Sequence, residues 1–137
     1  EVFFRNFSLD MAKLYDGVRH DSGDPIAFGE KMIAKYESYH IDPRTKSIVF
    51  SDSLDFDRAL EIHNYFKDRI GVSFGIGTNL TNDVGTSKPL NIVMKLKTFQ
   101  VNPRQHIYRC VKLSDVPGKE IGDPDEVHSY KVILGLI

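Results

Sequence analysis

Gly17-Val18-Arg19-His20-Asp21-Ser22-Gly23-Asp24-Pro25 is the stretch on which the reading of this chain turns. Its first half is a short apolar run that predicts a β-strand over residues 16–21. Its second half is a helix start, because an Asp side chain can accept a free N–H group of a first turn and Pro suits the first helical position. Between the two lie a cation and two carboxylates, Arg19, Asp21 and Asp24. Ligands of α/β folds bind at the carboxyl ends of the strands, so charge gathered at this turn marks a candidate site.

The flanking sequence repeats the same alternation. Upstream, Phe4, Phe7, Met11 and Leu14 are spaced as one helix over residues 3–15. Downstream, a helix after Pro25 places Ile26, Phe28, Met32, Ile33, Tyr36 and Tyr39 on a broad apolar face, and Asp42-Pro43 ends that connection. Ser47-Ile48-Val49-Phe50 is a β-branched strand within residues 46–50, closed by the turn Ser51-Asp52-Ser53. Asp55 then caps a second helix that carries Leu60, Ile62, Tyr65 and Phe66. Residues 70–76 form a third strand, ending in Gly75-Ile76-Gly77-Thr78-Asn79-Leu80-Thr81-Asn82-Asp83. The order βαβαβ gives an α/β fold with a parallel sheet and helical crossovers. A closed eight-stranded barrel takes about 250 residues. The length leaves an open doubly wound sheet possible, whereas half a barrel would expose two raw sheet edges.

After residue 88 the pattern changes. Two strand-like runs, residues 90–96 and 107–113, flank a polar stretch containing Asn102-Pro103 and predict an antiparallel pair. The polar tail after Pro117 has no assigned element. Residues 1–137 are thus read as one segment, with βα units over 1–88 and a strand pair and tail over 89–137.

Composition bounds what such a chain can do. Its 137 residues are 41% hydrophobic and 27% charged, the mix of a soluble globular domain. A net charge of −1 offers no general attraction to nucleic acid or to an acidic membrane. No apolar run reaches the ~18 residues of a membrane span. Cys110 is the single cysteine, which excludes an internal disulfide and fits a reducing compartment. The first residue is Glu1 rather than Met, and the last ones, Val132-Ile133-Leu134-Gly135-Leu136-Ile137, are apolar. Both features lead to the expectation that this is the C-terminal part of a longer chain.

Three consecutive strand ends carry small and polar residues, and that coincidence outweighs any one motif. Arg19 and Asp21, two apart, point to the same side of their strand, and His20 points to the other as a structural neighbour. Arg19 can grip a carboxylate with a planar pair of donors. Asp21 can accept from sugar hydroxyls or hold a hydrated Mg²⁺, and an internal Arg19–Asp21 salt bridge accounts for the pair equally well. Gly75 and Gly77 let backbone N–H groups come close to a phosphate, and Thr78 and Asn79 can add side-chain hydrogen bonds. The turn is neither a Walker loop, lacking G-K-[ST], nor a dinucleotide fingerprint, lacking the third glycine. His40, His63, His106 and His128 lack metal-ligand spacing. Lys112, Ser114 and Lys119 stand at a strand end, a place for ligand contacts, with a solvated loop as the favoured reading. The strand-end set points to an anionic sugar phosphate.

The stretches at 17–25, 50–55 (Phe-Ser-Asp-Ser-Leu-Asp), 73–83, 89–96 (Pro-Leu-Asn-Ile-Val-Met-Lys-Leu) and 111–119 (Val-Lys-Leu-Ser-Asp-Val-Pro-Gly-Lys), taken in order and with their gaps, resemble the nicotinate phosphoribosyltransferases in the C-terminal portion of such an enzyme. The resemblance implies part of the irregular α/β (TIM-like) barrel of the type II phosphoribosyltransferases, in a cytoplasmic homodimer. It implies ATP-assisted condensation of nicotinate with phosphoribosyl pyrophosphate (PRPP) to nicotinate mononucleotide and pyrophosphate, with Mg²⁺ as cofactor, in NAD salvage. By motif, Arg19 holds the nicotinate ring and carboxylate, and Asp21 binds ribose hydroxyls or the Mg-bound donor. Gly77 and Thr78, with the turn around Ser53, cradle the 5′-phosphate. Ser22, Asp24, Ser51, Asp52, Gly75 and Asn79 complete the substrate-binding set. Family members often have Gly or Asn where Ser53 stands. The family's ATP-phosphorylated histidine belongs to an upstream motif that none of the five histidines here matches. The alternatives are the nicotinamide-specific relative, which shares Arg-x-Asp-Ser-Gly, and a non-catalytic phosphosugar-binding module.

Overall fold

The computed structural model describes residues 2–82, 84–88, 92, 94–114 and 118–137. They group into two units, residues 1–90 and 91–137. Among the sequence stretches quoted above, residues 83, 89–91, 93 and 115–117 lie outside the described ones.

In the first unit, helices α1 (Val2–Asn6) and α2 (Leu9–Leu14) precede strand β1 (Gly17–His20). The single helix expected over 3–15 is therefore two. Ser8 takes an extended backbone and its hydroxyl accepts from the Met11 N–H at 3.3 Å, so a new N-terminus begins there. The break turns Phe7 into the core and leaves Met11 and Leu14 exposed. Helix α3 (Pro25–Ser38) starts as its sequence predicts, with Asp24 accepting from the Ala27 N–H at 2.6 Å and Pro25 in the first turn. It buries Gly29, Met32, Ile33 and Tyr36, with Ile26, Phe28 and Tyr39 partly buried beside them. Asp42 then caps one 3₁₀ turn, Pro43–Thr45, before strand β2 (Ser47–Phe50).

Helix α4 (Phe56–Phe66) is capped by Asp55, which accepts from the Arg58 N–H at 2.7 Å. Its buried stripe is Ala59, Ile62 and Phe66. Leu60 and Tyr65, expected on that face, flank the stripe and are exposed. Strand β3 (Gly71–Phe74) follows, and after it the short helix α5 (Thr78–Thr81).

The strands form one parallel sheet in the order β1-β2-β3. Gly17 is level with Ser47 and Ser47 with Gly71, and His20, Phe50 and Phe74 are level at the other end. Strand side chains alternate between faces. Val18, His20, Ile48, Phe50, Val72 and Phe74 share one face, where Ile48 and Phe50 are fully buried. Phe50 is the hub, its ring 5.8 Å from Phe66, 6.2 Å from Phe74 and 5.6 Å from His20. Gly29 lets α3 approach α4, since a Cβ there would lie 2.2 Å from Phe66 Cζ.

Both crossover helices contribute to this one core, through Met32, Ile33, Tyr36, Ile62 and Phe66. Over these three strands the winding runs in one direction, with sequential strand order and both crossovers on one face. On the opposite face Arg19, Val49 and Ser73 are exposed.

The second unit contains the antiparallel pair β4 (Thr98–Phe99) and β5 (Tyr108–Arg109), with the Phe99 and Tyr108 rings stacked at 4.8 Å. The pair was expected to run from residues 90–96 to 107–113. Ile92, Met94, Lys95 and Leu96 form no strand, and the remaining residues of that run lie outside the described ones. Turn chemistry sets the pairing. Asn102 accepts from the Arg104 N–H through its side chain and from the Gln105 N–H through its carbonyl, both at 3.0 Å, so the chain doubles back beside Thr98. Beyond β5, Lys112 makes an isolated antiparallel bridge with Ile121. The tail holds helix α6 (Pro124–Ile133), capped by Asp123. No element is assigned to this tail from sequence, although Asp123-Pro124 repeats the local start signal of Asp24-Pro25. Among the described residues no helix is long and apolar enough to cross a membrane.

Candidate functional site

The carboxyl ends of β1, β2 and β3 lie side by side, so the turns that follow them meet at one rim. Strands are spaced by ~4.8 Å, which puts β1 and β3 about 10 Å apart across β2. Two backbone hydrogen bonds carry the alignment past the strands: Ser51 N–H donates to His20 O at 3.1 Å, and Gly75 N–H donates to Phe50 O at 2.8 Å.

Arg19 stands on the exposed face near the end of β1. Its Nε donates to Ser51 Oγ at 2.8 Å, and its Nη2 pairs with Asp21 Oδ1. The salt bridge weighed from sequence therefore forms. With side chains 63% and 70% exposed, it contributes little to stability. Both charges remain open to a ligand. Ser51 links the two turns, since its Oγ also donates to His20 O at 3.0 Å.

His20 points the other way, as alternation predicts. It is 2% exposed, between the rings of Phe28 at 5.1 Å and Phe50 at 5.6 Å, a structural position.

Asp24 is occupied as the α3 cap, with its second oxygen 3.9 Å from Arg58. Sequence reasoning did not include Arg58 at this rim. Its signal is local, because Glu61 lies three residues on along α4, accepts from Arg58, and raises the guanidinium pKa further. Ser22 and Asp52 lie in the exposed or half-buried turns, and Ser53 Oγ donates to Asp52 Oδ1 at 3.1 Å. Ser53 has φ of 51°, a left-handed conformation that Gly and Asn adopt more readily, which gives a physical reason for those residues at this position.

Gly75 faces Ser51 closely, and a Cβ on it would lie 3.2 Å from Ser51 Cβ. Gly77 is different: a Cβ there would meet nothing within 4 Å, so the turn is open on that side. Thr78 begins α5, whose first N–H groups lack helical partners as in any helix. Asn79 does not present its amide nitrogen to the rim, because Nδ2 donates to Leu54 O at 3.0 Å and ties the third turn to the second. The structure thus brings together Arg19, Asp21, Ser51 and Gly75, and commits Asp24 and Asn79 to local structure. In the second unit, Lys112 Nζ donates to Lys119 O within its own loop. The described residues contain no group of three or more His, Cys, Asp and Glu side chains that could hold a metal by themselves.

The comparisons with known proteins agree with one another. The model of the nicotinate phosphoribosyltransferase (NAPRTase) family matches residues 1–135. The nicotinate phosphoribosyltransferase of Desulforapulum autotrophicum is 52% identical over 134 residues, covering 97% of this chain and 34% of that protein. That of Chromohalobacter salexigens is 50% identical over 136 residues, covering 98% and 34%. The crystal structure of the Porphyromonas gingivalis enzyme superposes with a TM-score of 0.82 at 51% identity, over 97% of this chain and 34% of that one. The chain therefore spans about a third of the length of these relatives. Parallel strands in sequential order, a charged rim at their ends and a family match along nearly the whole length lead to one assignment: this chain belongs to the nicotinate phosphoribosyltransferase family.

Proposed function

We propose that this chain supplies part of the barrel and of the substrate site of an enzyme that joins nicotinate to PRPP, with ATP hydrolysis, giving nicotinate mononucleotide and pyrophosphate for NAD salvage. The barrel reading is supported by the winding: strands in sequential order with both crossover helices on one face, the arrangement that repeats into a closed barrel. Parallel sheets are normally covered on both faces, and the uncovered face here is the one bearing Arg19.

The observation that supports the substrate reading most is Arg19 held between Ser51 and Asp21, with the glycine turn after β3 packed against that same Ser51. In this reading the guanidinium grips the nicotinate carboxylate and orients the ring so that its nitrogen faces the anomeric carbon of the ribose. Loss of pyrophosphate from that carbon passes through an oxocarbenium-like transition state. The protein's main task is then positioning and electrostatic stabilisation. Asp21 accepts from the ribose hydroxyls, and the open backbone at Gly77 and Thr78, with the turn around Ser53, takes the 5′-phosphate.

A single exposed carboxylate such as Asp21 suits Mg²⁺ arriving with the donor's phosphates, since this ion keeps several waters and needs only one or two protein carboxylates. When bound, the ion neutralises charge on the leaving pyrophosphate. The family resemblance alone carries the homodimer and the cytoplasmic location.

A product assay of the complete enzyme with nicotinate, nicotinamide and quinolinate, each with and without ATP, tests the reaction. Nicotinate mononucleotide formed from nicotinate and stimulated by ATP is the expected result. Turnover of nicotinamide alone would assign the amide-specific relative, and no turnover would favour the phosphosugar-binding module. For the site, Arg19→Ala is expected to cost ~1.5–3 kcal/mol in nicotinate binding, read as a raised nicotinate KM, because a charge-assisted hydrogen bond is lost. Unchanged nicotinate kinetics would remove Arg19 from that role.

A further inference from the structure

We infer that Ser51 is a positioning residue for Arg19, and that its hydroxyl is not a donor to substrate. The inference deepens the proposed function and rests on its assignment of Arg19. Its own basis is the polarity of two hydrogen bonds. A serine hydroxyl has one proton and two lone pairs, a carbonyl oxygen can only accept, and a guanidinium N–H can only donate. Ser51 Oγ lies 3.0 Å from His20 O and 2.8 Å from Arg19 Nε. Its single proton is therefore directed to the His20 carbonyl, and a lone pair faces Arg19.

The residue that carries this hydroxyl is held on two sides. The Ser51 N–H donates to the same His20 carbonyl at 3.1 Å, and the His20 ring behind that carbonyl is buried between Phe28 and Phe50. On the other side Gly75 closes in, with space for a Cβ only 3.2 Å from Ser51 Cβ. Core packing beneath β1 and β2 thus fixes an exposed cation above them.

Two anchors define the guanidinium plane: Ser51 holds Nε and Asp21 holds Nη2. Among the described residues Nη1 has no hydrogen-bond partner, so one edge of the fork remains for a ligand carboxylate. An arginine on four rotatable bonds, mostly exposed, would otherwise sample many orientations, and ordering it on binding costs affinity. Ser51 does that ordering beforehand.

The test uses the complete enzyme with Ser51→Ala and Ser51→Thr, the second retaining the hydroxyl, and varies nicotinate and PRPP separately. Ser51→Ala is expected to raise the nicotinate KM ~3–10-fold, the loss of one hydrogen bond. The PRPP KM should stay within about twofold, and Ser51→Thr should recover most of the loss. In an Arg19→Lys background, where no Nε is present to hold, Ser51→Ala should add less than about twofold, because the two residues act as one unit. An equal effect on both substrates, an unaltered nicotinate KM, or full additivity with Arg19→Lys would overturn the inference.

A readout without substrate separates this inference from the proposed function. The Arg19 Nε–H resonance should exchange slowly with water in the parent and in Ser51→Thr, and rapidly in Ser51→Ala. Equal exchange in all three overturns the positioning role, whatever Arg19 binds. Failure of Arg19→Ala to alter nicotinate kinetics, with the exchange pattern as expected, would instead sink only the ligand assignment. Should Ser51→Ala fail to fold, Ser51→Cys, of similar size but a weak acceptor, takes its place in both measurements.

Discussion

The two faces of the three-stranded sheet are made from alternate residues of the same strands, yet they obey opposite rules. On the helix-covered face, Ile48 and Phe50 are fully buried and His20 is enclosed among aromatic rings. On the other face Arg19, Val49 and Ser73 are exposed, and the polar contacts run across strand ends rather than into a core. One face should therefore set stability and the other should set binding. They meet at the His20–Ser51 junction, where the Ser51 hydroxyl donates to the carbonyl of the buried His20 and accepts from the exposed Arg19 guanidinium.

The sharpest way to break this division is Phe50→Ala. Removing the hub ring of the core is expected to cost ~3–5 kcal/mol of stability, read from the midpoint of denaturant unfolding of the complete protein. A loss below ~1 kcal/mol would mean that the helix face does not hold the unit together. Gly29→Ala probes the same face from the helix side. Its new methyl would overlap the Phe66 ring, and overpacking of this kind costs ~1–3 kcal/mol. A variant as stable as the parent would show that α3 and α4 can separate freely.

The smallest expected effect lies at the helix surface, where Arg69 is paired bidentately with Glu30 at 2.6 and 2.9 Å. The hydrogen bonds from Arg69 hold the Glu30 carboxyl below the usual carboxylate range. Because the folded-state pKa is depressed, the pair contributes above the unfolded glutamate value, about 4.3, and that contribution is lost as pH falls through the lowered folded value. Both side chains are about two-fifths exposed, so Glu30→Gln should cost no more than ~1 kcal/mol at neutral pH and nothing once Glu30 is protonated in the parent. A pH-independent difference between the two proteins would assign the effect to packing rather than to charge.

Legibility followed how local each determinant was. Asp24-Pro25, Asp55 and the β-branched run Ser47-Ile48-Val49-Phe50 act within a few residues, and the elements they start or form are where the sequence places them. The break at Ser8 was less visible, because one serine hydroxyl outweighed a continuous apolar spacing. The second strand of the hairpin lies within the expected residues 107–113, whereas the first pairs later than its apolar run, since Asn102 controls where the chain doubles back. Asp123-Pro124 carried the same signal as Asp24-Pro25, in a tail where surrounding polarity obscured it.

At the site, sequence alone determined which residue types stand at the strand ends, that Arg19 and Asp21 share a side, and that His20 faces away, because strand alternation is a property of the chain itself. Tertiary structure decided which of those groups are already engaged. Asn79 is tied to Leu54, Asp24 to its own helix, and Ser51 to both His20 and Arg19. The reason is that a hydrogen bond between turns depends on the register of neighbouring strands, and register is fixed only when the faces beneath them pack together.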